Sequence, residues 1–231
     1  MIGLVAPVEE IFTLAKEFHS LTLLDMAQTA GLVDCDIGKD IFDFAVFAGH
    51  KTLLGPTGIS GFVMKPTIDL EPVFFGGTGF DSANHDMPGS LPERFEFGTM
   101  NTIGVVGLNA SVKWILQQGI NNLAAAELKN RARLIEILNE YDFISVVGNC
   151  DGRDYVGIVS CVLNDISSDT AGQLFSERNI SVRTGLQCAP AAHRFLNTFP
   201  AGTVRFSVNC FTTDEDFDVL REALDDINDN L

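Results

Sequence analysis

Two residues in the first quarter of the chain could do carbonyl chemistry together. Lys51 ends the run Phe47-Ala48-Gly49-His50-Lys51 and precedes the glycine-rich Leu54-Gly55-Pro56-Thr57-Gly58-Ile59. A lysine held where a buried strand gives way to a tight turn is open to desolvation, which favours its neutral, nucleophilic amine. Asp25 follows the apolar Leu21-Thr22-Leu23-Leu24. An aldehyde carried on a pyridine ring asks for these two groups, an amine for a Schiff base and a carboxylate for the ring nitrogen. Taken singly, Lys51 reads as a solvated turn lysine and Asp25 as a helix cap; the pairing is what carries weight.

A second cluster lies in Ser181-Val182-Arg183-Thr184-Gly185-Leu186-Gln187-Cys188-Ala189-Pro190. Among the five cysteines, Cys188 alone sits in a Gly- and Pro-containing loop with a nearby cation, surroundings that leave a thiol accessible and can lower its pKa. Cys188 with His193 would be a weak metal pair, since two ligands do not make a site. Arg205 lies inside a strand-like Thr203-Val204-Arg205-Phe206-Ser207. A buried arginine needs an anion, either a substrate carboxylate held bidentately or a structural salt bridge. Cys35 lies between Asp34 and Asp36, whose charges disfavour a thiolate. Cys150, Cys161 and Cys210 read as small core residues.

The elements that must position these groups alternate in type. Pro7–Phe18 reads as a helix with Glu9 and Glu10 at its positive end. Strands are expected at Leu21–Leu24, Phe44–Ala48 and Ile59–Met64, which puts the chemistry at strand ends, where open α/β sheets bind ligands. Residues 66–104 are rich in Gly and Pro and read as irregular, ahead of a helix over Val105–Gln118. A long helix capped by Asn121 or Asn122 runs to about Glu140, with Glu127 and Arg131 placed for an ion pair. Strands at Phe143–Val147, Tyr155–Leu163, Ile180–Val182 and Val204–Val208 follow, with a helix over Asp169–Arg178. Thr212-x-x-Glu215 forms a capping box for a last helix with an apolar stripe and an acidic outer face. That face reads as solvated, with docking of a basic partner as the alternative.

Composition sets the frame. The chain has 231 residues, 46% hydrophobic and 20% charged, enough for one large or two modest domains. A formal charge of −16 argues against nucleic acid. No apolar run reaches the length of a membrane span and no basic-then-apolar signal opens the chain, so a cytoplasmic protein is expected. The scattered cysteines contain no CxxC pair, so neither a disulfide framework nor a zinc site is indicated.

These motifs together resemble the cysteine desulfurase/selenocysteine lyase family of class V, aminotransferase-fold enzymes that bind pyridoxal 5′-phosphate. The matching stretches, in family order, are Asp25-Met26-Ala27-Gln28-Thr29-Ala30-Gly31, Gly49-His50-Lys51 with Gly55-Pro56-Thr57-Gly58, Arg94-Phe95-Glu96-Phe97-Gly98-Thr99-Met100-Asn101, Arg183 through Pro190, and Arg205-Phe206-Ser207. The resemblance implies an α/β fold. Residues 1–120 would form the C-terminal part of an aspartate aminotransferase-like large domain, and 121–231 a small α/β domain carrying the cysteine loop. It implies that Lys51 binds the cofactor aldehyde and then shuttles protons, that Asp25 holds the pyridinium proton, that Gln28 bonds the ring oxygen and that His50 contacts the phosphate. Arg205, with Arg183, would hold the carboxylate of L-cysteine or selenocysteine. Cys188 would take the sulfur as a persulfide, leaving alanine. Gly98 and Thr99 resemble the segment that reaches the phosphate of a neighbouring subunit's cofactor, implying a homodimer. The compact cysteine loop resembles the subgroup that hands its persulfide to an acceptor protein, as in iron–sulfur cluster assembly.

The sequence also departs from the pattern. Met1–Pro7 aligns with an interior stretch of the family, so the half of the large domain that precedes it is expected to be missing, leaving Leu21–Leu24 and Phe44–Ala48 short of neighbours and exposing apolar surface. Ala48 stands where a phosphate-contacting serine is frequent, and Gln187 where a histidine is common. Two further readings stay open at this point: a non-catalytic fragment or interaction partner of the same fold, and another class V reaction such as transamination.

Overall fold

The computed structural model describes residues 1–230, which form two compact units. One comprises Pro7–Ile120 and is called here the lysine unit. The other joins Met1–Ala6 to the chain from Asn121 onward and is called the cysteine unit. Residues 1–6, expected with the first domain, thus belong to the second. The Gly3 carbonyl accepts from the Val156 N–H at 2.9 Å, and the Val5 N–H donates to the Asp154 carbonyl at 2.9 Å. Gly3 is needed there: its φ is +78°, and a Cβ would lie 2.6 Å from the Ile158 carbonyl oxygen.

The lysine unit opens with α1 (Val8–Glu17), followed by β1 (Leu23–Asp25), β2 (Phe44–Ala48), β3 (Ser60–Met64) and, after a long irregular segment, α2 (Thr102–Gln118). The sheet order is β1-β2-β3, with β1 parallel and β3 antiparallel to β2. Its core is small: Leu24, Phe42 and Ala45 are buried, with Val8, Phe12 and Met26 packed on them. Phe12 meets Phe42 edge to face at 5.4 Å. The apolar exposure expected around Leu21–Leu24 is present, because β1 ends the sheet and Leu21 and Leu23 point away from the core. Ile11, Leu14 and Phe18 form an exposed stripe along α1 and just past its end. Residues 66–101 hold only a 3-10 turn at Glu93–Phe95, whose Arg94 bonds Asp69 at 2.9 Å and Glu71 at 2.8 Å.

One buried carboxylate ties this unit together. Asp43 Oδ2 accepts from the Thr22 N–H at 2.7 Å and from the Lys16 ammonium. Burial alone would raise the Asp43 pKa, but the hydrogen bonds from Lys16 and Thr22 and the Lys16 charge outweigh it and hold it below the usual value. Asp43→Ala leaves the Thr22 amide unpaired and is expected to destabilise this unit by about 2 kcal/mol, read from urea unfolding by fluorescence of Trp114, the single tryptophan. Because the folded pKa is depressed, the contribution is present above the unfolded carboxylate value near ~4 and lost as pH falls through the folded one. The gap between wild type and Asp43→Ala should therefore narrow in acid; a gap constant with pH would show that Asp43 is not the group involved.

The cysteine unit contains α3 (Ile120–Leu138, whose first residue is the last of the lysine unit), β4 (Ile144–Val147), β5 (Ile158–Leu163), α4 (Ser168–Glu177), β6 (Arg183–Gly185), α5 (Pro190–Phe195), β7 (Thr203–Ser207) and α6 (Asp214–Asn228). The sheet runs β4-β5-β7-β6, all neighbours antiparallel. One face carries Val159, Cys161, Val204 and Phe206, buried in a core with Leu134, Leu138, Phe175, Phe217 and Leu224 from α3, α4 and α6. Period-2 alternation sends Ser160 and Arg205 to the opposite face.

Local chemistry shifts several expected features. The capping box is Thr213 with Asp216, one residue past the expected pair, because the Thr212 hydroxyl instead accepts from the Asn209 N–H at 3.0 Å. The helix α3 starts at Ile120, ahead of the expected asparagine caps. Glu127 and Arg131 are buried but engage separate partners: Glu127 accepts from the Gly157 N–H at 2.6 Å, and Arg131 lies over the Tyr155 ring and donates to Asn149 at 2.9 Å. The acidic face of α6 is largely committed within the unit, Asp214 to Arg133, Asp225 to Tyr141 at 2.7 Å and Asp226 to Arg178 at 3.2 Å. Cys150 is exposed, not a core residue.

Candidate active site

The lysine unit places its two chemical groups at the same end of two adjacent parallel strands. Asp25 is the last residue of β1 and lies opposite Val46 of β2, and Lys51 follows the end of β2 by three residues. The Met26 N–H donates to the Val46 carbonyl at 2.8 Å, extending the ladder just beyond Asp25. Asp25 Oδ1 accepts from the Ala27 N–H at 2.8 Å, which fixes the carboxylate while the side chain stays exposed. Gln28, on the turn that follows, is also exposed.

The turn carrying Lys51 is locked by backbone. The Gly49 carbonyl accepts from the Gly55 N–H at 2.7 Å, and the Gly49 N–H donates to the Ile59 carbonyl at 2.9 Å. Neither glycine has room for a Cβ, which would lie 2.8 Å from the Ile59 carbonyl oxygen at Gly49 and 2.8 Å from the Gly49 carbonyl oxygen at Gly55. Asn101 joins this turn to α2: its amide donates to the Gly58 carbonyl at 3.0 Å and its Oδ1 caps the helix at the Gly104 N–H. The desolvation expected of Lys51 is not found, since the turn sits at the rim of the sheet and leaves Lys51 and His50 exposed. Gly98, with φ +78°, and Thr99 are exposed on the irregular segment. No local pattern in the sequence singled out Asn101, whose partner lies on a distant turn.

The cysteine unit contributes an anion-seeking pair and a thiol. Arg183 of β6 and Arg205 of β7 are directly opposite across an antiparallel ladder, hence on one face. Arg205 is half-buried, and its Nε is a buried donor with no hydrogen-bond partner. Burial first, then the like charge of Arg183, holds the Arg205 guanidinium below its usual pKa, while Cys188 pulls the other way. An orphaned donor beside a second cation is the arrangement a bidentate carboxylate would satisfy, and the structural salt bridge open from sequence is not made among the described residues. The strand leading to the loop is Arg183–Gly185, three residues past the expected Ile180–Val182, which puts Arg183 itself on the ladder.

Cys188 is exposed on the turn between β6 and α5, with φ +60°. His193 of α5 is buried, its Nδ1 2.7 Å from the Thr198 hydroxyl, and burial pushes its pKa down. It is a structural histidine, and α5 itself was not apparent from the sequence.

The chemistry of the two donor sets, a carboxylate and an amine at the same end of two parallel strands and an unsatisfied guanidinium on β7 with an exposed thiol on the turn after β6, fits a pyridine aldehyde and an amino-acid carboxylate. Comparison with known proteins gives the family. Residues 1–220 match the family described as aminotransferase class-V. A probable cysteine desulfurase of Methanothermobacter thermautotrophicus is 33% identical over 233 residues, covering 98% of this chain and 58% of that protein. A probable cysteine desulfurase of Aeropyrum pernix is 35% identical over 237 residues, 97% of this chain and 57% of that one. The apo structure of cysteine desulfurase from Thermococcus onnurineus NA1 superposes with a TM-score of 0.87 at 28% identity, covering 99% of this chain and 57% of that chain. The chain therefore spans a little over half the length of these relatives.

Proposed function

The chain belongs to the class V aminotransferase family, and from that premise we propose that it acts in pyridoxal 5′-phosphate-dependent desulfuration of L-cysteine. The observation that carries the reading is the exposed Cys188 in a chain that also presents the Arg183–Arg205 pair with its orphaned Nε. When bound, pyridoxal phosphate supplies an electron-withdrawing pyridinium that stabilises negative charge next to the amino group. Lys51 Nζ would hold the aldehyde and would move the substrate proton; Asp25 would hold the proton on the ring nitrogen. Gln28, His50, Gly98 and Thr99 are the proposed contacts to ring oxygen and phosphate.

Arg205 and Arg183 orient the substrate carboxylate. Cys188 Sγ, as thiolate, forms an S–S bond to the substrate sulfur as the substrate C–S bond breaks, its electron pair staying on carbon, where a proton completes alanine. The persulfide then passes to a thiol of an acceptor protein, in sulfur transfer of the kind that supports iron–sulfur assembly. A homodimer is part of the same reading, supported by the exposed apolar side chains of Val73, Phe74 and Phe75 on the irregular segment that carries Gly98 and Thr99.

The test is alanine formation from L-cysteine by the purified chain supplied with pyridoxal phosphate, with Arg205→Ala alongside. Losing one charge-assisted contact of about 1.5–3 kcal/mol should raise KM roughly tenfold to a hundredfold. Absence of alanine from the wild-type chain, or an unchanged KM in the variant, would count against the reading.

A further inference from the structure

The loop that presents Cys188 is held in a conformation its own residues resist. Gln187 and Cys188 are consecutive non-glycine residues at positive φ, +44° and +60°, a pairing that persists only where the surroundings impose it. Two things impose it. Gly202 and Gly185 are in backbone contact, a Cβ on Gly202 lying 2.4 Å from the Gly185 carbonyl oxygen. The Gln187 side chain folds back onto the strands: its Nε2 donates to the Thr203 carbonyl at 3.0 Å and the Arg183 carbonyl at 3.3 Å, and the Thr203 hydroxyl donates to its Oε1 at 3.2 Å. Thr203 is buried, so the anchor is rigid. The amide thus spans β6 and β7, the two strands that carry Arg183 and Arg205, and its own backbone precedes Cys188.

We propose that Gln187 is a positioning residue that holds the Cys188 turn against β6 and β7, the strands that carry Arg183 and Arg205, so that Cys188 favours anionic sulfur electrophiles. As a residue of the sulfur-accepting loop, Gln187 serves the proposed desulfuration, and this inference rests on that reading for its biological use. The chemistry itself needs no cofactor.

The experiment compares, in the cofactor-free chain, the rates at which Cys188 reacts with an anionic aromatic disulfide (5,5′-dithiobis-2-nitrobenzoate) and a neutral one (2,2′-dithiodipyridine), resolved at Cys188 by peptide mass mapping. The wild type should favour the anionic reagent. Gln187→Ala should lower the anionic-to-neutral rate ratio roughly threefold to tenfold, the equivalent of about one net hydrogen bond. Amide hydrogen exchange should quicken at Ala189, whose N–H donates to the Leu186 carbonyl, while the core strand β5 keeps its protection. Gln187→His, which retains a side-chain N–H, should restore much of the ratio, and Arg205→Ala should lower the ratio without speeding exchange at Ala189. An unchanged ratio in Gln187→Ala overturns the proposal even if the chain desulfurates cysteine. A lowered ratio supports it even if no alanine is ever formed, in which case the proposed function falls by itself.

Discussion

Cys188→Ala should abolish sulfur output while leaving cofactor binding intact. The fall in alanine formation is expected to be on the order of 10⁴-fold or more, as for removal of a reaction's nucleophile. No other cysteine shares the placement of Cys188. Cys161 is fully buried, and burial pushes its thiol up to about 12. Cys35 is raised by burial and then by Glu9 and the flanking aspartates, as its sequence neighbours suggested. Cys210 is raised by burial, with Glu127 adding to it. Cys150 is exposed, but it follows β4, the opposite edge of the sheet from β6. The variant keeps every residue of the lysine unit, so the visible absorbance of bound cofactor should be unchanged. Mass spectrometry of the wild type after L-cysteine should find one added sulfur on the Cys188 peptide. Alanine and a persulfide elsewhere in Cys188→Ala would sink the assignment.

Lys51→Ala should remove retained cofactor altogether. After incubation with pyridoxal phosphate and desalting, the wild-type chain should keep a visible absorption band and the variant should keep none, because a covalent attachment through Lys51 Nζ would be the contact that survives dilution. The substitution is structurally mild: Lys51 is exposed, and the turn is closed by the backbone bonds of Gly49, Gly55 and Ile59 rather than by the lysine side chain. Trp114 fluorescence in urea should therefore show wild-type stability, separating lost attachment from lost folding. A band that persists in Lys51→Ala places the amine elsewhere, and no band in the wild type removes the cofactor role from this chain.

Much of the secondary structure was legible in the sequence because its signals are local. Phe44–Ala48 reads as a strand from its unbroken apolar run and is one. Residues 66–104 read as irregular from their glycines and prolines, and only the start of α2 and the 3-10 turn interrupt that description. The sequence likewise determined which residues are able to do chemistry: an amine and a carboxylate each just after an apolar run, and a thiol in a loop with an arginine before it. Side-chain type and its immediate neighbours settle that much.

Only the tertiary structure decided how those groups are paired within each unit. The parallel register of β1 on β2 sets Asp25 at the same sheet edge as the Lys51 turn, and the antiparallel register of β6 on β7 sets Arg183 opposite Arg205. A slip of one residue in the second register would have sent one arginine to the other face. The exposure of Lys51 could not be read from an apolar run either, since burial depends on what covers the strand end. The role of Gln187 was invisible for the same reason: its partner Thr203 is a neighbour only because β7 returns beside β6. Register is fixed by hydrogen bonds between residues distant in sequence, and no window of neighbouring residues contains that information.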